Sequence, residues 1–312
     1  MKIISDNILS ACLSALILLS GSPAGAAEQP ESPLLTFQSA SVVRVNPKGL
    51  TQFFLVKAPI GLYESDHPAL EKNGITPIVH LEASPAIYKG GFALEFDPMT
   101  ILGFRAGMVW QKYNGKFDGL QSFGSTDVSY SDTSLEALGN DGEALNYATS
   151  GKVTTLSATL KMKVGSIALK NKFGATRYDM DLRDGHEHYY DITLDILTEN
   201  GQWNLHNTTD LVYLHSDSII MGLRSDLTMP AYSVSGDDAV VPGKTYRVGP
   251  SFIYNFDPTD APGDASNPNR FRNPKLIVML NWWLEHPYRT GEDVSGGMPM
   301  ALVVFTFEGD LI

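Results

Sequence analysis

The sequence predicts an all-β protein, a transmembrane antiparallel β-barrel of about twelve strands. Three observations support this fold class. Apolar and polar residues alternate along many segments, which is the side-chain period of a β-strand. These segments run for roughly ten residues, whereas strands of soluble proteins usually have about 5–6. Aromatic residues gather near the segment ends, where a membrane barrel carries its interfacial girdles.

Twelve segments carry the alternation, and turn-forming Gly, Pro, Asn and Asp residues separate them. They are residues 34–46, 50–63, 75–86, 90–97, 100–113, 153–164, 167–181, 202–215, 218–232, 244–256, 275–288 and 299–309. In the sixth segment Leu156, Leu160 and Met162 share one face, and Lys161 and Lys163 share the other. A soluble sandwich or barrel that buries the apolar face is the alternative. Whole charges in the middle of the polar faces favour the membrane barrel, which has a polar lumen.

The stretch KLIVMLNWWLEHPYR, residues 275–289, shows what kind of membrane segment is present. Its apolar run from Leu276 to Leu284 is half the about 20 residues of a spanning helix, but it fits the about 9–11 residues of a tilted strand. As a strand it has one purely apolar face for lipid. Trp282, Trp283 and Tyr288 are expected towards one membrane interface.

Residues 1–26 are predicted to be a secretory signal peptide, because an early Lys2 precedes an apolar run and small residues follow. Cleavage after Ala26 or Ala27 is expected, and lipidation at Cys12 is the alternative. Residues 27–312 are the predicted barrel domain. Cys12 is the only cysteine, so the mature chain is expected to lack disulfides and thiolate chemistry.

Long and short connections predict the orientation, since barrels of this kind have long extracellular loops and short periplasmic turns. The longest connection, 114–152, is acidic and is placed outside the cell. Connections 182–201, 233–243 and 289–298 follow it there, and the short turns are 98–99, 165–166 and 216–217. Connection 257–274 is long although strand parity places it in the periplasm, which indicates either an exception or a miscounted strand.

With these features the chain resembles the Gram-negative bacterial outer-membrane β-barrel proteins over about residues 34–312. The resemblance lies in the signal peptide, the even strand count, the aromatic girdles and the amphipathic last strand. It implies an outer-membrane location and contact with outer-membrane lipid or lipopolysaccharide. One departure is Ile312, which is out of phase with the lipid-facing series, whereas such chains commonly end on an in-phase aromatic residue.

Inward-facing charges form the candidate pore lining, because charged walls in a narrow channel focus the field that acts on a solute. Cations predominate on the fifth to seventh strands, and carboxylates on the third and fourth. The candidate residues are Glu82, Glu95, Asp97, Arg105, Lys161, Lys163, Lys170, Lys172, Asp210, Arg224, Asp226 and Arg247. They predict a porin-like channel for small polar or charged solutes. A plugged barrel that acts as a surface scaffold or adhesin is the alternative, since these charges can also neutralise one another.

Other chemistries have weaker support in the sequence. A lipid acyl hydrolase is suggested by His215 and Ser216, but neighbours on a strand point to opposite faces. His186 and His188 lie two residues apart and supply only two metal ligands. The loop DPTDAPGD, residues 257–264, lacks the regular spacing of a calcium loop. We therefore expect no catalytic residue, metal or cofactor.

The net charge of −12 argues against a nucleic-acid partner, because such a surface repels phosphate.

Overall fold

The structure is a computed structural model that describes residues 35–117, 119–140, 146–231, 243–257 and 271–311. Twelve antiparallel strands close into a barrel. They are β1 (Thr36–Val45), β2 (Gly49–Lys57), β3 (Gly74–Ala83), β4 (Ile87–Met99), β5 (Leu102–Asn114), β7 (Ala148–Val164), β8 (Ile167–Met180), β11 (Trp203–Leu214), β12 (Ile219–Pro230), β13 (Thr245–Asn255), β14 (Arg272–Glu285) and β15 (Met300–Asp310). The first and last strands close the ring, with Val42 opposite Val304.

Each of the twelve predicted segments overlaps one barrel strand, so the predicted fold class and strand count are confirmed. β13 pairs directly with β14, so the count of twelve barrel strands holds across the long connection between them. Residues 258–270 of that connection, the loop 232–242 and the predicted signal peptide lie outside the described residues.

The outer surface of the barrel is apolar, as the alternation predicts. Outward positions hold large exposed side chains such as Phe92 (60% exposed), Leu223 (54%) and Leu284 (62%). A surface of this kind is unfavourable in water and favourable in hydrocarbon. It identifies the chain as a barrel of the transmembrane type.

Two of the aromatic residues that were expected at the interface lie elsewhere. Trp282 faces outward, but Trp283 is 4% exposed inside the barrel, where its ring lies 4.9 Å from the Arg247 guanidinium. Tyr288 packs edge-on against Tyr130, with the ring centroids 4.8 Å apart, above the barrel wall. The interface prediction is thus wrong for Trp283 and Tyr288, because strand alternation sends Trp283 inward and the strand ends before Tyr288.

Part of the lumen is filled by apolar side chains, which the prediction of a polar lumen did not include. Inward residues of β1–β3, β8 and β11–β15 form a buried cluster, with Val42, Leu302 and Ile277 between 0% and 1% exposed. This side of the lumen is packed as in a soluble protein core. Any water-filled space must therefore lie along the other strands.

A second layer covers the barrel end from which the long connections emerge, here called the loop end. It consists of a small sheet, β6 (Ser122–Phe123), β9 (His188–Asp191) and β10 (Ile196–Glu199), and of helix α1 (Asp132–Asn140). Ser131 caps α1, since its Oγ accepts the Ser134 N–H at 3.1 Å. No helix in the described part of the chain is long and apolar enough to cross a bilayer.

Candidate functional site

All twelve predicted pore-lining residues lie at inward positions of their strands, but they form separate groups. Lys163 lies at the exposed end of β7, close to the short turn. The remaining residues divide into buried charge networks and one half-exposed group on β4 and β5. The burial of each group decides which charges a solute can meet.

The largest network joins β11, β12 and β13. Arg224 is 1% exposed and lies 3.5 Å from Asp210 and 3.2 Å from Asp226, measured between nitrogen and oxygen. Arg247 reaches Asp226 at 3.2 Å. Thr208 donates a hydrogen bond to Asp226 at 2.8 Å. Two cations and two carboxylates thus neutralise one another away from water, an arrangement that fixes the wall and presents no free charge to the lumen.

A second buried pair ties β3 to β4. Glu82 lies 3.2 Å from Lys89 and 3.7 Å from His80, and all three side chains are at most 5% exposed. Glu82 therefore forms a buried ion pair on the inner side of the barrel wall. Lys89 was not among the predicted residues, although its inward position follows from the alternation of β4.

The predicted basic band on β7 and β8 points inward but is buried. Lys161 is 8% exposed, Lys170 2% and Lys172 3%. Beside them, Gly174 makes room for the His206 ring, since a Cβ at Gly174 would lie 2.0 Å from His206 Nε2. These lysines shape the interior without facing an open water path in this conformation.

The half-exposed group differs from the rest of the lumen. Inward residues on β4, β5 and β7 keep contact with solvent, and we call this surface the polar strip. It comprises Ala93, Glu95, Asp97, Arg105, Gly107, Thr155, Ser157 and Thr159. Arg105 Nη1 lies 3.2 Å from Glu95 Oε1, and the two side chains are 13% and 26% exposed. The strip is therefore a charged and hydroxyl-rich surface inside the barrel that water can reach.

Two glycines leave room for side chains of this strip. A Cβ at Gly107 would lie 3.0 Å from Thr155 Oγ1 and 3.2 Å from Ala93 Cβ, and a Cβ at Gly103 would lie 2.3 Å from Asp97 Oδ1. Side chains at these positions would fill the space beside Asp97 and Thr155. The absence of a Cβ at Gly103 and Gly107 thus allows Asp97 and Thr155 to pack against the β5 backbone.

The strip ends at a dry layer at the loop end. Inward residues Val109 and Val153 are 4% exposed, and Tyr113, four residues further along β5, is 0% exposed. They belong to a buried cluster with side chains of the connecting loops. The loop members are Leu120, Phe123, Tyr130, Leu135, Tyr189, Tyr190, Ile192, Leu194, Ile196 and Leu197. This cluster, together with the small sheet and α1, is called the cap.

Arg289 connects three loops of the cap. Its guanidinium binds Asp195 through Nε at 2.6 Å and Nη2 at 3.0 Å. It also binds both oxygens of Asp132 at 2.9 Å, and Asn46 Oδ1 at 3.0 Å. Arg289 is 3% exposed. Bidentate, buried pairs of this kind are the strong ones, so this arginine holds α1, the β9–β10 turn and the loop after β14 together.

Asp195 is the centre of this network. Burial alone would raise its pKa, but the charges of Arg289 and His286 hold the pKa of Asp195 well below its usual range. Burial and the charge of Asp195 raise the pKa of Tyr190 well above its usual value, so Tyr190 remains a phenol and donates to Asp195. The main chain takes part as well, since Arg44 of β1 donates to Ile192 O at 3.0 Å.

Sequence reasoning missed the cap. The acidic connection 114–152 was predicted only to lie outside the cell, and the residues of β9 and β10 lie in short apolar runs without a clear period. The available signal was the run YYDITLDIL, residues 189–197, which is too apolar for an exposed loop.

The residues considered for other chemistry have ordinary local partners. Ser216 lies in the turn after β11, where its Oγ accepts the Ile219 N–H at 3.1 Å. His186 Nδ1 lies 2.7 Å from Ser122 Oγ, and His188 Nε2 lies 4.0 Å from Glu199. Ser122 is 0% exposed, so a substrate cannot reach its hydroxyl while the cap is in place.

Comparisons with known proteins yield weak structural likenesses. No family model matches the chain, and no curated protein matches its sequence. Among solved structures, the KdgM porin is similar with a TM-score of 0.39 and 6% identity, covering 89% of this chain and 99% of that one. The NanC porin is similar with a TM-score of 0.38 and 8% identity, covering 88% and 100%. The translocator domain of autotransporter NalP from Neisseria meningitidis is similar with a TM-score of 0.38 and 9% identity, covering 98% and 95%.

Proposed function

We propose that this protein is an outer-membrane channel for small polar or charged solutes, and that the described conformation is closed by the cap. The polar strip carries the proposal. It is a water-accessible surface with charges of both signs inside a barrel whose other inward residues are largely buried. A wall that served only to hold the barrel shut would have no need of exposed ionised groups there.

The nature of the obstruction supports a gate. The strip is blocked at the loop end by connections between strands, whereas the barrel wall is a continuous hydrogen-bonded ladder. Loops open at lower free energy than the strands that carry them. A movement of the cap would extend the strip to the loop end and leave the wall unchanged.

The groups on the strip indicate the class of solute. Arg105 and Glu95 offer both signs of charge, and Thr155, Ser157 and Thr159 offer hydroxyls. Lys57 and Lys163 add positive charge towards the opposite end of the barrel. Such a path favours polar solutes, with a bias towards anions, over apolar ones.

Single-channel recording in a planar bilayer tests the gate. The native protein is expected to insert and remain closed for most of the record. Arg289→Met removes the charge that holds Asp132 and Asp195 together, so it should give long openings. Arg177→Met is the matched control, because Arg177 lies on the outer face of β8 and should leave the record unchanged. A native protein and an Arg289→Met variant that both insert and never conduct would contradict the proposal and favour a scaffold.

A second substitution tests the path. Gly107→Leu places a side chain against Thr155 and Ala93 and should lower the conductance of the opened Arg289→Met barrel at least twofold. Gly61→Leu is the control, since a Cβ at Gly61 has no neighbour within 4 Å. Equal conductance in both double variants would show that solutes do not pass along the strip.

A further inference from the structure

The outer face of β5, β7 and β8 carries a band of cations at the loop end. Lys112 and Lys152 are outward on β5 and β7, and Arg177 is outward on β8. Strand pairing makes these cations diagonal neighbours across the sheet. Lys152 lies opposite Trp110 and Asp179, Lys112 lies opposite Ser150, and Arg177 lies opposite Thr154. Arg183 follows directly after β8, with its guanidinium 4.3 Å from the centre of the Tyr147 ring. We call Lys112, Lys152, Arg177 and Arg183 the basic rim.

The carboxylate partners of Lys152 and Arg177 in the basic rim are distant and exposed to solvent. Asp179 lies 3.8 Å from Lys152 and 3.9 Å from Arg177, at the long limit of an ion pair and with all three side chains more than 40% exposed. Exposed pairs of this kind contribute little. Lys112 makes no hydrogen bond or ion pair with another described residue. The residue opposite it on β4 is the exposed Tyr88.

Two adjacent grooves open on this surface. One, of about 540 Å³, is lined by Trp110, Lys112, Lys152 and Asp179 among others. The second, of about 420 Å³, shares Lys112 with the first and is bounded by Tyr147 and Arg183. Both grooves present ammonium or guanidinium groups and tyrosine or serine hydroxyls, which are donors suited to phosphate oxygens, and Asp181 is a lining residue of both.

An apolar groove lies directly below them on the same face. It has a volume of about 380 Å³ and is lined by Phe92, Leu94, Ala106, Met108, Thr154 and Leu156 among others. Ala106 is the small residue on its floor, between Leu94 and Leu156. Met108 is two residues from Trp110, and Thr154 is two residues from Lys152, so the groove continues from the basic rim into the apolar belt.

We propose that this face binds one lipid of the surrounding leaflet that carries a phosphorylated headgroup. The phosphate is held between Lys112 and Lys152, and an acyl chain lies in the groove over Ala106. The order of the groups supports a membrane lipid over a free anion, because cations, an interfacial tryptophan and an apolar groove follow one another along the barrel axis. The inference concerns the outer face only and does not depend on conduction through the lumen.

Lipid retention after reconstitution tests the site. The protein is equilibrated in nanodiscs that contain either phosphorylated lipid A or lipid A whose phosphates a phosphatase has removed. It is then extracted into mild detergent, and native mass spectrometry counts the lipid molecules that the protein retains. The native protein should retain the phosphorylated form at least tenfold more often. The double variant Lys112→Gln/Lys152→Gln should lose this preference.

Matched variants separate the specific site from general charge and from misfolding. Lys244→Gln is the charge control, since Lys244 is a cation near the same barrel end but is paired with Glu285 at 2.8 Å. It should retain lipid like the native protein. Ala106→Phe fills the apolar groove while leaving every cation in place, so it should reduce retention of the phosphorylated lipid. All variants are first shown to fold by their heat-dependent mobility in gels.

Three outcomes would overturn the inference. Equal retention of both lipid forms by the native protein would remove the role of phosphate. Equal losses in Lys244→Gln and the double variant would reduce the effect to net charge. Complete displacement of the lipid by millimolar inorganic phosphate, with no effect of Ala106→Phe, would assign the rim to a free anion.

Discussion

Asp195 combines complete burial with an ionised carboxylate, and this makes the cap sensitive to acid. Its pKa is held well below the usual range by Arg289 and His286 after burial has opposed them. In the unfolded chain the pKa of an aspartate is about 3.9. Because the folded pKa is the lower one, the stabilisation is fully present above the unfolded pKa and is lost as the pH falls towards the folded pKa.

The pH dependence of Asp195→Asn is therefore a prediction at the residue scale. The native protein should be more stable than Asp195→Asn by about 3 kcal/mol or more at pH 7, since the change leaves a buried arginine short of one charge partner. This difference should shrink as the pH falls below about 4. Burial raises the pKa of Asp191, so this residue affects the pH dependence of stability in the opposite direction. Asp191 is present in both proteins, so its effect cancels in the difference between them.

Denaturant midpoints of the two proteins between pH 7 and pH 3 provide the measurement. Asp184→Asn is the matched control, because Asp184 is exposed on the loop after β8 and its replacement should leave the difference from the native protein near zero at every pH. A constant difference between native and Asp195→Asn down to pH 3 would contradict the assigned charge state.

At the scale of elements, the alternation of the sequence was sufficient to place twelve strands and to give each residue its face. Leu156 and Lys161 were assigned outward and inward correctly from β7 alone, since the side-chain period of a strand is two. Alternation did not reveal which inward charges are paired. Arg224 and Arg105 have equivalent positions in the pattern, but Arg224 lies in a closed network and Arg105 in the polar strip. That distinction depends on neighbours across strands and on the cap.

Depth in the membrane gives a prediction for a single strand. Leu160→Arg places a charge on the outer face of β7, where Leu160 is 43% exposed. Arginine on the lipid face costs about 2–4 kcal/mol near the bilayer midplane and about 0–1 kcal/mol near the interface. Val164→Arg, on the same face at the strand end and 82% exposed, should therefore be tolerated.

The free energy of unfolding from lipid vesicles, measured with urea, compares the two variants. The free energy of unfolding should be highest for the native protein, almost as high for Val164→Arg, and clearly lower for Leu160→Arg. Equal stabilities for all three would place the outer face of β7 in water.

At the scale of the whole molecule, the barrel and the cap differ in how they are held. The barrel is closed by continuous strand pairing, whereas the cap is assembled from three loops by the short pairing of β6 with β9 and by side-chain contacts. Arg289 forms one such contact and Thr133 forms another, donating to Asp293 with an oxygen–oxygen distance of 2.5 Å. Opening must separate α1 from the loop after β14, so a covalent link between these elements should prevent it.

The chain allows this link to be engineered, because Cys12 is its only cysteine and lies in the predicted signal peptide. Side chains 133 and 293 are in direct contact, which suits a disulfide between Thr133→Cys and Asp293→Cys. The oxidised double variant should give no openings in a planar bilayer, and reduction should bring them back. Each single-cysteine variant controls for the lost hydrogen bond, and neither should respond to reductant. Openings that persist in the fully oxidised variant would show that solutes bypass the cap, and the gate would then have to lie within the barrel wall.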